Sequence, residues 1–278
     1  MTLDAGTPSQ SGIDFSLEDG LDLNLETEPP TLDPAFAADS TSFEVIEQLF
    51  IGLVDIDDDT GDIVPELATT WDVSTNNEVY TFTLRDDVFW TDGNPVTAQD
   101  VRYGILRTLN PQNDSYYAEI FFIIENAEAY HNGTITDPNQ VGIEALNPTE
   151  LQVTLEQPAV YALSIFSLPS ARPMPQWTID AWGDQWTDPD HIVTNGAYEL
   201  SEWVHDDYLI LDKSPTYYDA ANVRIERVKM WMEDEATAWQ MYLDGQLDTV
   251  TVPTGTEIDP GISRSEERRV GKECVSEC

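Results

Sequence analysis

The sequence predicts a mixed chain of strands and helices, arranged as α/β or α+β layers, and three observations predict it. Short runs alternate apolar and polar residues with the period of a half-buried strand. Between them lie segments with apolar residues at helical spacing, some preceded by capping residues. Several strand runs are adjacent and joined by turn-forming Asp, Asn and Gly, as in hairpins.

In chain order, Leu21-Asp-Leu-Asn-Leu25 alternates as a strand, and Glu28-Pro-Pro-Thr-Leu-Asp-Pro34 is a proline-punctuated turn. Ser42 is placed to cap a helix carrying Val45, Ile46, Leu49 and Phe50. Leu53–Ile56 and Ile63-Val64 flank Asp57-Asp-Asp-Thr-Gly61 and read as a hairpin. Tyr80-Thr-Phe-Thr-Leu-Arg85 alternates strictly, and Val88-Phe-Trp90 reads as a second short strand. Thr91-Asp-Gly-Asn-Pro95 is a turn in which Gly93 is free to take a positive φ. Thr97 and Asp100 stand at capping-box spacing before Val101, Ile105 and Leu109.

Residues 116–130 read as a mostly apolar helix, Leu151–Leu155 as a strand, and Tyr161–Leu168 as a helix ended by Pro169. From Pro173 to Pro189 the texture is loop, with a short helix over Ile179–Trp182. Gly196–Trp203 and Tyr208–Leu211 read as paired strands, joined by Val228–Met232. Glu235–Leu243 reads as a helix closed by Gly245, with Thr249–Val252 a strand. No internal repeat is visible.

The 278 residues suffice for one large domain or two modest ones. A hydrophobic fraction of 41% and eight Trp mark a folded chain rather than an acidic disordered one. No run of eighteen apolar residues exists to span a bilayer. With 53 acids against 12 bases the net charge is −41, a surface that repels nucleic acid and anionic membranes and argues against both as direct ligands. Lys occurs only at 213, 229 and 272. Such a surface fits a high-salt habitat, where screening relieves self-repulsion, or a cation-attracting role.

Several segments together carry a family resemblance. Tyr80–Arg85, Trp90-Thr-Asp-Gly93 and Val96-Thr-Ala-Gln-Asp-Val101 resemble the signature of extracellular solute-binding proteins of family 5, the dipeptide and oligopeptide type. Glu28–Pro34, Pro65-Glu-Leu-Ala68 and Trp71 precede them in the matching order. Thr194-Asn-Gly-Ala-Tyr-Glu-Leu200, Tyr217-Tyr-Asp-Ala220 and Gly245-Gln-Leu-Asp248 come after them.

The resemblance runs from about Leu21 to Val252 and implies an α/β, periplasmic-binding-protein-like fold of class II. It implies a first lobe with an outer subdomain, about 43–160, inserted in it, and a second lobe missing from a partial domain over 21–262. It further implies a non-enzymatic, monomeric binding subunit of an ABC importer, without cofactor or metal, that closes around a peptide and delivers it to a membrane permease. Oligosaccharide, nickel chelate and haem are alternative solutes. The expected location is periplasmic or extracytoplasmic, with lipid anchoring through a cysteine upstream of this chain. First-lobe ligand contacts are expected from Glu28, Pro30, Thr31, Asn195, Gly196 and Tyr198; anchors for peptide termini are expected mainly in the second lobe.

Residues 1–20 are polar, without the basic and apolar regions of a secretory signal, and read as a flexible tether. Residues 263–278 break with the preceding composition. Residues 264–278 carry four of the twelve bases and both cysteines, resembling a translated library adapter more than native chain.

Other constellations are weaker. Asp55–Glu66 places acids at positions 1, 3, 5 and 12 of a calcium loop, but its glycine falls at 7 and Asp62 at 8, so a solvated hairpin turn is the simpler reading. Trp177, Trp182, Trp186, Tyr198 and Trp203 could line a cleft wall or sit in the core. A secreted carbohydrate hydrolase would need two cleft carboxylates, which 53 acids supply by chance. His131, His191 and His205 form no metal or nucleophile motif. A surface or adhesion protein without ligand is a further alternative.

Overall fold

The computed structural model describes residues 20–253, so the expected tail, and the expected tether apart from Gly20, lie outside the described residues. Two four-stranded sheets and a hairpin share one hydrophobic core.

The first sheet draws on distant parts of the chain. Strand β1 (Leu21–Asn24) pairs in parallel with β10 (Arg227–Trp231). Antiparallel β9 (Tyr208–Lys213) and β8 (Tyr198–Val204) complete the order β1-β10-β9-β8. Leu21, Leu23, Leu200, Leu209, Leu211, Val228 and Met230 are buried, the alternate residues expected of strands with one face on a core.

Helix α1 (Ser40–Leu49) comes after the proline turn and buries Val45, Ile46 and Leu49. Its cap is Asp39, not Ser42: the Asp39 carboxylate accepts from the Ser42 amide, and the Ser42 hydroxyl donates to the same carboxylate, both at 2.8 Å. Ser42 is therefore inside the helix and buried. Phe50 leaves the helix in extended conformation and is fully buried.

Strands β2 (Val54–Ile56) and β3 (Ile63–Pro65) form the expected hairpin. At its tip, Asp57 accepts from the Thr60 amide and hydroxyl, which holds its carboxyl below the usual range. Glu66, the twelfth position of the calcium-loop reading, is turned inward to Arg172.

The second sheet is local. Strands β4 (Ala68–Val73), β5 (Val79–Leu84), β6 (Ile143–Asn147) and β7 (Glu150–Thr154) run antiparallel in the order β4-β5-β7-β6. Tyr80, Phe82 and Leu84 point inward, as their alternation predicts. Val88–Trp90 does not extend the sheet. Phe89 makes one bridge, to Pro95, which has no N–H to continue a ladder, and the Trp90 amide closes a turn on Asn94. Gly93 in that turn has φ +86°.

Helix α2 (Ala98–Leu109) begins with the predicted capping box. The Asp100 carboxylate accepts from the Thr97 amide at 2.7 Å and hydroxyl at 2.9 Å, and Val101, Ile105 and Leu109 are fully buried. Burial raises the Asp100 carboxyl despite those donors.

The helix expected over 116–130 is broken. A 3₁₀ segment (Ala118–Ile123) gives way to a bridge between Ile124 and Leu155, and Asn126 takes φ +60° before α3 (Ala127–His131). Pairing of Ile124 beside β7 outcompetes continued helix. Short helix α4 (Ala162–Phe166) comes next, then α5 (Gln176–Trp182), which starts three residues before the expected position behind Pro175. Helix α6 (Glu235–Leu243) is capped by Asp234. No strand forms over 249–252. Instead the Asp248 amide donates to the Asp22 carbonyl and the Asp248 carboxylate accepts from the Asp22 amide, occupying the β1 edge through one residue.

Candidate functional site: the Glu28–Ala37 turn and its supports

Beyond β1 the chain turns sharply. Glu26 takes φ +67°, and the fixed φ of Pro29 and Pro30 stiffens the chain into Thr31. Thr31 accepts the Asp33 amide at 3.0 Å, while Asp33 accepts the Ala35 amide at 3.0 Å. Asp33 also receives a bidentate pair from Arg107 of α2 at 2.6 and 2.7 Å, and the Trp186 indole N–H at 2.7 Å.

This is a dry, charge-assisted network. The Asp33 and Arg107 side chains are 6% and 12% exposed, and Arg107 lies over the Phe36 ring at 4.8 Å. It fixes the turn from behind, so Pro30 stays exposed and Thr31 partly exposed.

Glu28 is held from the other side. Its carboxylate accepts from His205 Nδ1 at 2.7 Å and from the Asp206 amide at 2.8 Å, tying the turn to the tip of the β8–β9 hairpin. Trp203 packs on His205 at 4.7 Å. On the outer flank the Ser115 hydroxyl donates to the Ala35 carbonyl, anchoring a loop that presents Tyr116, 75% exposed. Tyr116 leans edge-on to Tyr117, which contacts Phe43 at 5.7 Å. Behind the turn, burial and the neighbouring Glu47 and Glu26 raise the Glu44 carboxyl.

The three remaining expected contacts lie in the interior. The Asn195 and Gly196 amides both donate to the Leu49 carbonyl, at 3.2 and 2.8 Å, and the Asn195 side-chain oxygen accepts the Ile51 amide at 3.2 Å. The segment is a tertiary cap on the C-terminus of α1, satisfying carbonyl and amide groups that helix ends leave open. A Cβ on Gly196 would stand 2.6 Å from the Gln48 oxygen and the Leu49 carbon, so only glycine fits. Tyr198 is fully buried with its hydroxyl donating to the Ile225 carbonyl at 3.2 Å. The structure thus brings Glu28, Pro30 and Thr31 together on one turn, and Asn195, Gly196 and Tyr198 together under α1 and β8.

The tryptophans divide likewise. Trp186 is buried; Trp177 donates to Asp92 at 2.9 Å; Trp182 stacks on His191 with centroids 3.6 Å apart. Sequence reasoning placed Asp33 in a turn but missed its partners Arg107 and Trp186, and it missed Tyr116 and Tyr117. Only the Thr31-Leu-Asp-Pro34 pattern hinted that Asp33 was special; its partners lie 74 and 153 residues away.

Chemically, this surface offers backbone and side-chain hydrogen-bonding groups, a proline edge and aromatic rings. Among the described residues no group of three or more His, Cys, Asp or Glu is placed to hold a metal ion. No helix there is long and apolar enough to cross a membrane.

Comparison with known proteins agrees with this architecture. A solved periplasmic oligopeptide-binding protein of an oligopeptide ABC transporter, OppAIV from Borrelia burgdorferi, superposes with a TM-score of 0.80 at 34% identity, covering 84% of this chain and 47% of that one. The fold is therefore that of periplasmic binding proteins of this type. The profile of bacterial extracellular solute-binding proteins, family 5, middle region, matches residues 62–269, and the chain belongs to that family.

The dipeptide-binding protein DppE of Bacillus subtilis is 37% identical over 83% of this chain and 42% of its own length. The probable deoxycholate-binding periplasmic protein YgiS of Escherichia coli is 32% identical over 83% of this chain and 43% of its own. This chain spans less than half the length of these relatives.

Proposed function

We propose that this chain is the first-lobe part of the substrate-binding component of an ABC importer, capturing di- and oligopeptides outside the membrane and passing them to a permease. The lobe spans 21–262, with 43–160 as the inserted outer subdomain, in a monomeric, non-enzymatic protein held near the membrane by a lipid anchor upstream. What carries the reading is family membership together with the braced Glu28–Asp33 turn.

A rigid turn with exposed backbone suits recognition of an extended peptide, because little ordering remains to be done on binding. In this proposal Pro30 and Thr31 touch the ligand, and Glu28 receives a cationic group or holds the hairpin tip against it. Asn195, Gly196 and Tyr198 contribute by fixing the end of α1 and the start of β8. Closure of a second lobe over this face would complete the cleft and signal occupancy to the permease.

A second reading, a solute other than peptide, draws on the relative named for deoxycholate. The test is to read the gene beyond codon 262 and compare, by calorimetry, the 278-residue chain with the extended product. A second-lobe reading frame, micromolar peptide binding by the extended protein and at least hundredfold weaker binding by the short chain support the proposal. Micromolar peptide binding by the short chain overturns it, and saturable bile-acid binding without peptide binding favours the second reading.

A further inference from the structure

A cavity of about 360 Å³ opens where hairpin β2–β3 and the end of α1 meet segment 167–172 and the loop after β9. None of its lining residues belongs to the Glu28–Ala37 turn or to the Tyr116–Tyr117 pair, so the peptide-binding reading does not use it.

Its walls are of two kinds. Ile51, Leu168, Pro169 and Val223 supply an apolar slot beside the Tyr217 ring. Among the described lining residues, five carboxylates, those of Glu47, Asp55, Asp58, Glu66 and Asp219, stand against one cation, Arg172.

The floor of the cavity is electrostatically incomplete. Arg172 is 4% exposed at its side chain and gives its terminal N–H to Glu66 at 2.8 Å, yet its buried Nε has no hydrogen-bond partner among the described residues. Among the described residues Glu66, 15% exposed, accepts only that donor and the Gly52 amide at 2.6 Å. Burial pushes its carboxyl up to about 7, with Asp55 adding to the rise and Arg172 opposing it. Buried polar groups are normally fully paired, and a half-satisfied ion pair is costly, so Arg172 in the cavity wall, its Nε shielded and unpaired, is where an incoming acceptor would add a bond.

A metal ion does not fit, since no set of three ligating groups is placed for one among the described residues. The lining instead suits a molecule with apolar methylenes, a positive nitrogen for the carboxylates and an oxygen for the guanidinium.

The geometry points to a second ligand site here, for a small organic ammonium compound that also carries a hydroxyl or carbonyl oxygen. Its ammonium group donates to the exposed Asp55 and the half-exposed Asp219, its carbon chain lies on Ile51 and Val223, and its oxygen accepts from Arg172. The contact with Nε requires a small shift of the guanidinium, which the flexible stem allows.

The test uses the full 278-residue chain in molar potassium chloride, with binding followed by calorimetry and melting temperature. Ethanolamine and glycinamide are the probes, ethylamine the probe lacking an oxygen, and tetramethylammonium the control for screening. Expected are saturable millimolar binding of ethanolamine or glycinamide, at least tenfold tighter than ethylamine, and loss of at least tenfold in D55N/D219N. Asn222→Lys, an exposed change that sets a cation at the rim, should abolish binding without lowering the melting temperature of the free protein. No saturable binding of either probe, an equal response to tetramethylammonium, or unchanged binding in both variants overturns the site.

Discussion

The two sheets share a core but are built on opposite principles. Sheet β4-β5-β7-β6 and helix α2 draw on residues 68–154, and their pairing partners are near in sequence or joined through one excursion. Sheet β1-β10-β9-β8 joins residues 21–24 to residues 198–231, with β1 entering in parallel at an edge. Local pairing is self-specifying, because turn chemistry and alternation set the register. The long-range sheet depends on tertiary contacts that hold distant segments together, and those contacts concentrate at Asp33 and at Asn195-Gly196. Mutations at those contacts should therefore cost more than mutations in the local sheet's own signals.

The sharpest break is Asp33→Ala. It strands the nearly buried Arg107 and removes the acceptor of Trp186, and the loss expected on breaking a buried pair is about 3–5 kcal/mol. Chemical denaturation of D33A against wild type measures it; a loss under about 1 kcal/mol would show that the turn is not what ties α2 to the first sheet.

Gly196→Ala comes next. Its new methyl must push the backbone at Gln48 and Leu49, with an overpacking cost of about 2–3 kcal/mol. An unchanged melting temperature would mean that α1 shifts freely away from β8, contrary to the two amides that hold it.

Thr97→Ala, in the local region, removes half of a capping box and should cost only about 1 kcal/mol. A T97A loss as large as that of D33A would abolish the contrast between the sheets.

The pH dependence sharpens the comparison at the seam. Glu66 has a folded pKa of about 7 against an ordinary 4.5, so the folded state holds a proton that the unfolded state releases. Its contribution is fully present below about pH 4.5 and is lost as pH rises through 7. Because other carboxylates dominate the raw curve, the measurement is the difference between wild type and E66Q across pH 4–8. The wild-type stability should fall with pH relative to E66Q, and a parallel pair of curves would refute the raised pKa.

The smallest effect is expected at Arg85–Asp87, an ion pair with a 59% exposed carboxylate, where D87N should change stability by less than about 1 kcal/mol. Over the whole surface, raising salt from about 0.1 M to molar should raise the melting temperature, because a Debye length falling from about 10 Å to 3 Å screens the repulsion among 53 acids.

Legibility divides along the same line. The alternation of Tyr80, Phe82 and Leu84, the Thr97–Asp100 box and the β2–β3 hairpin each act within a few residues, and each appears as read. The helix over 116–130 failed because Ile124 finds a partner in Leu155, and no local pattern reports a strand edge thirty residues ahead. Ser42 was displaced as cap by Asp39, a neighbour with the stronger acceptor. Of the expected site, the Glu28–Thr31 turn was legible from its prolines. The braces behind it were not, since Arg107, Trp186 and His205 resemble any other surface cation, aromatic or imidazole until the fold brings them to Asp33 and Glu28.

By itself, then, the sequence determined the family, the mixed layers, the local sheet with its capped helix, and a strongly acidic composition. Those properties are written in short-range periodicity, turn residues and net charge, which need no partner to act. Only the tertiary structure decided that Asn195 and Gly196 cap a helix, that Glu28 is clasped by a hairpin tip, and that Glu66 and Arg172 floor a cavity. Each depends on groups more than a hundred residues apart meeting out of water, where pairing or its absence acquires an energy that no local pattern carries.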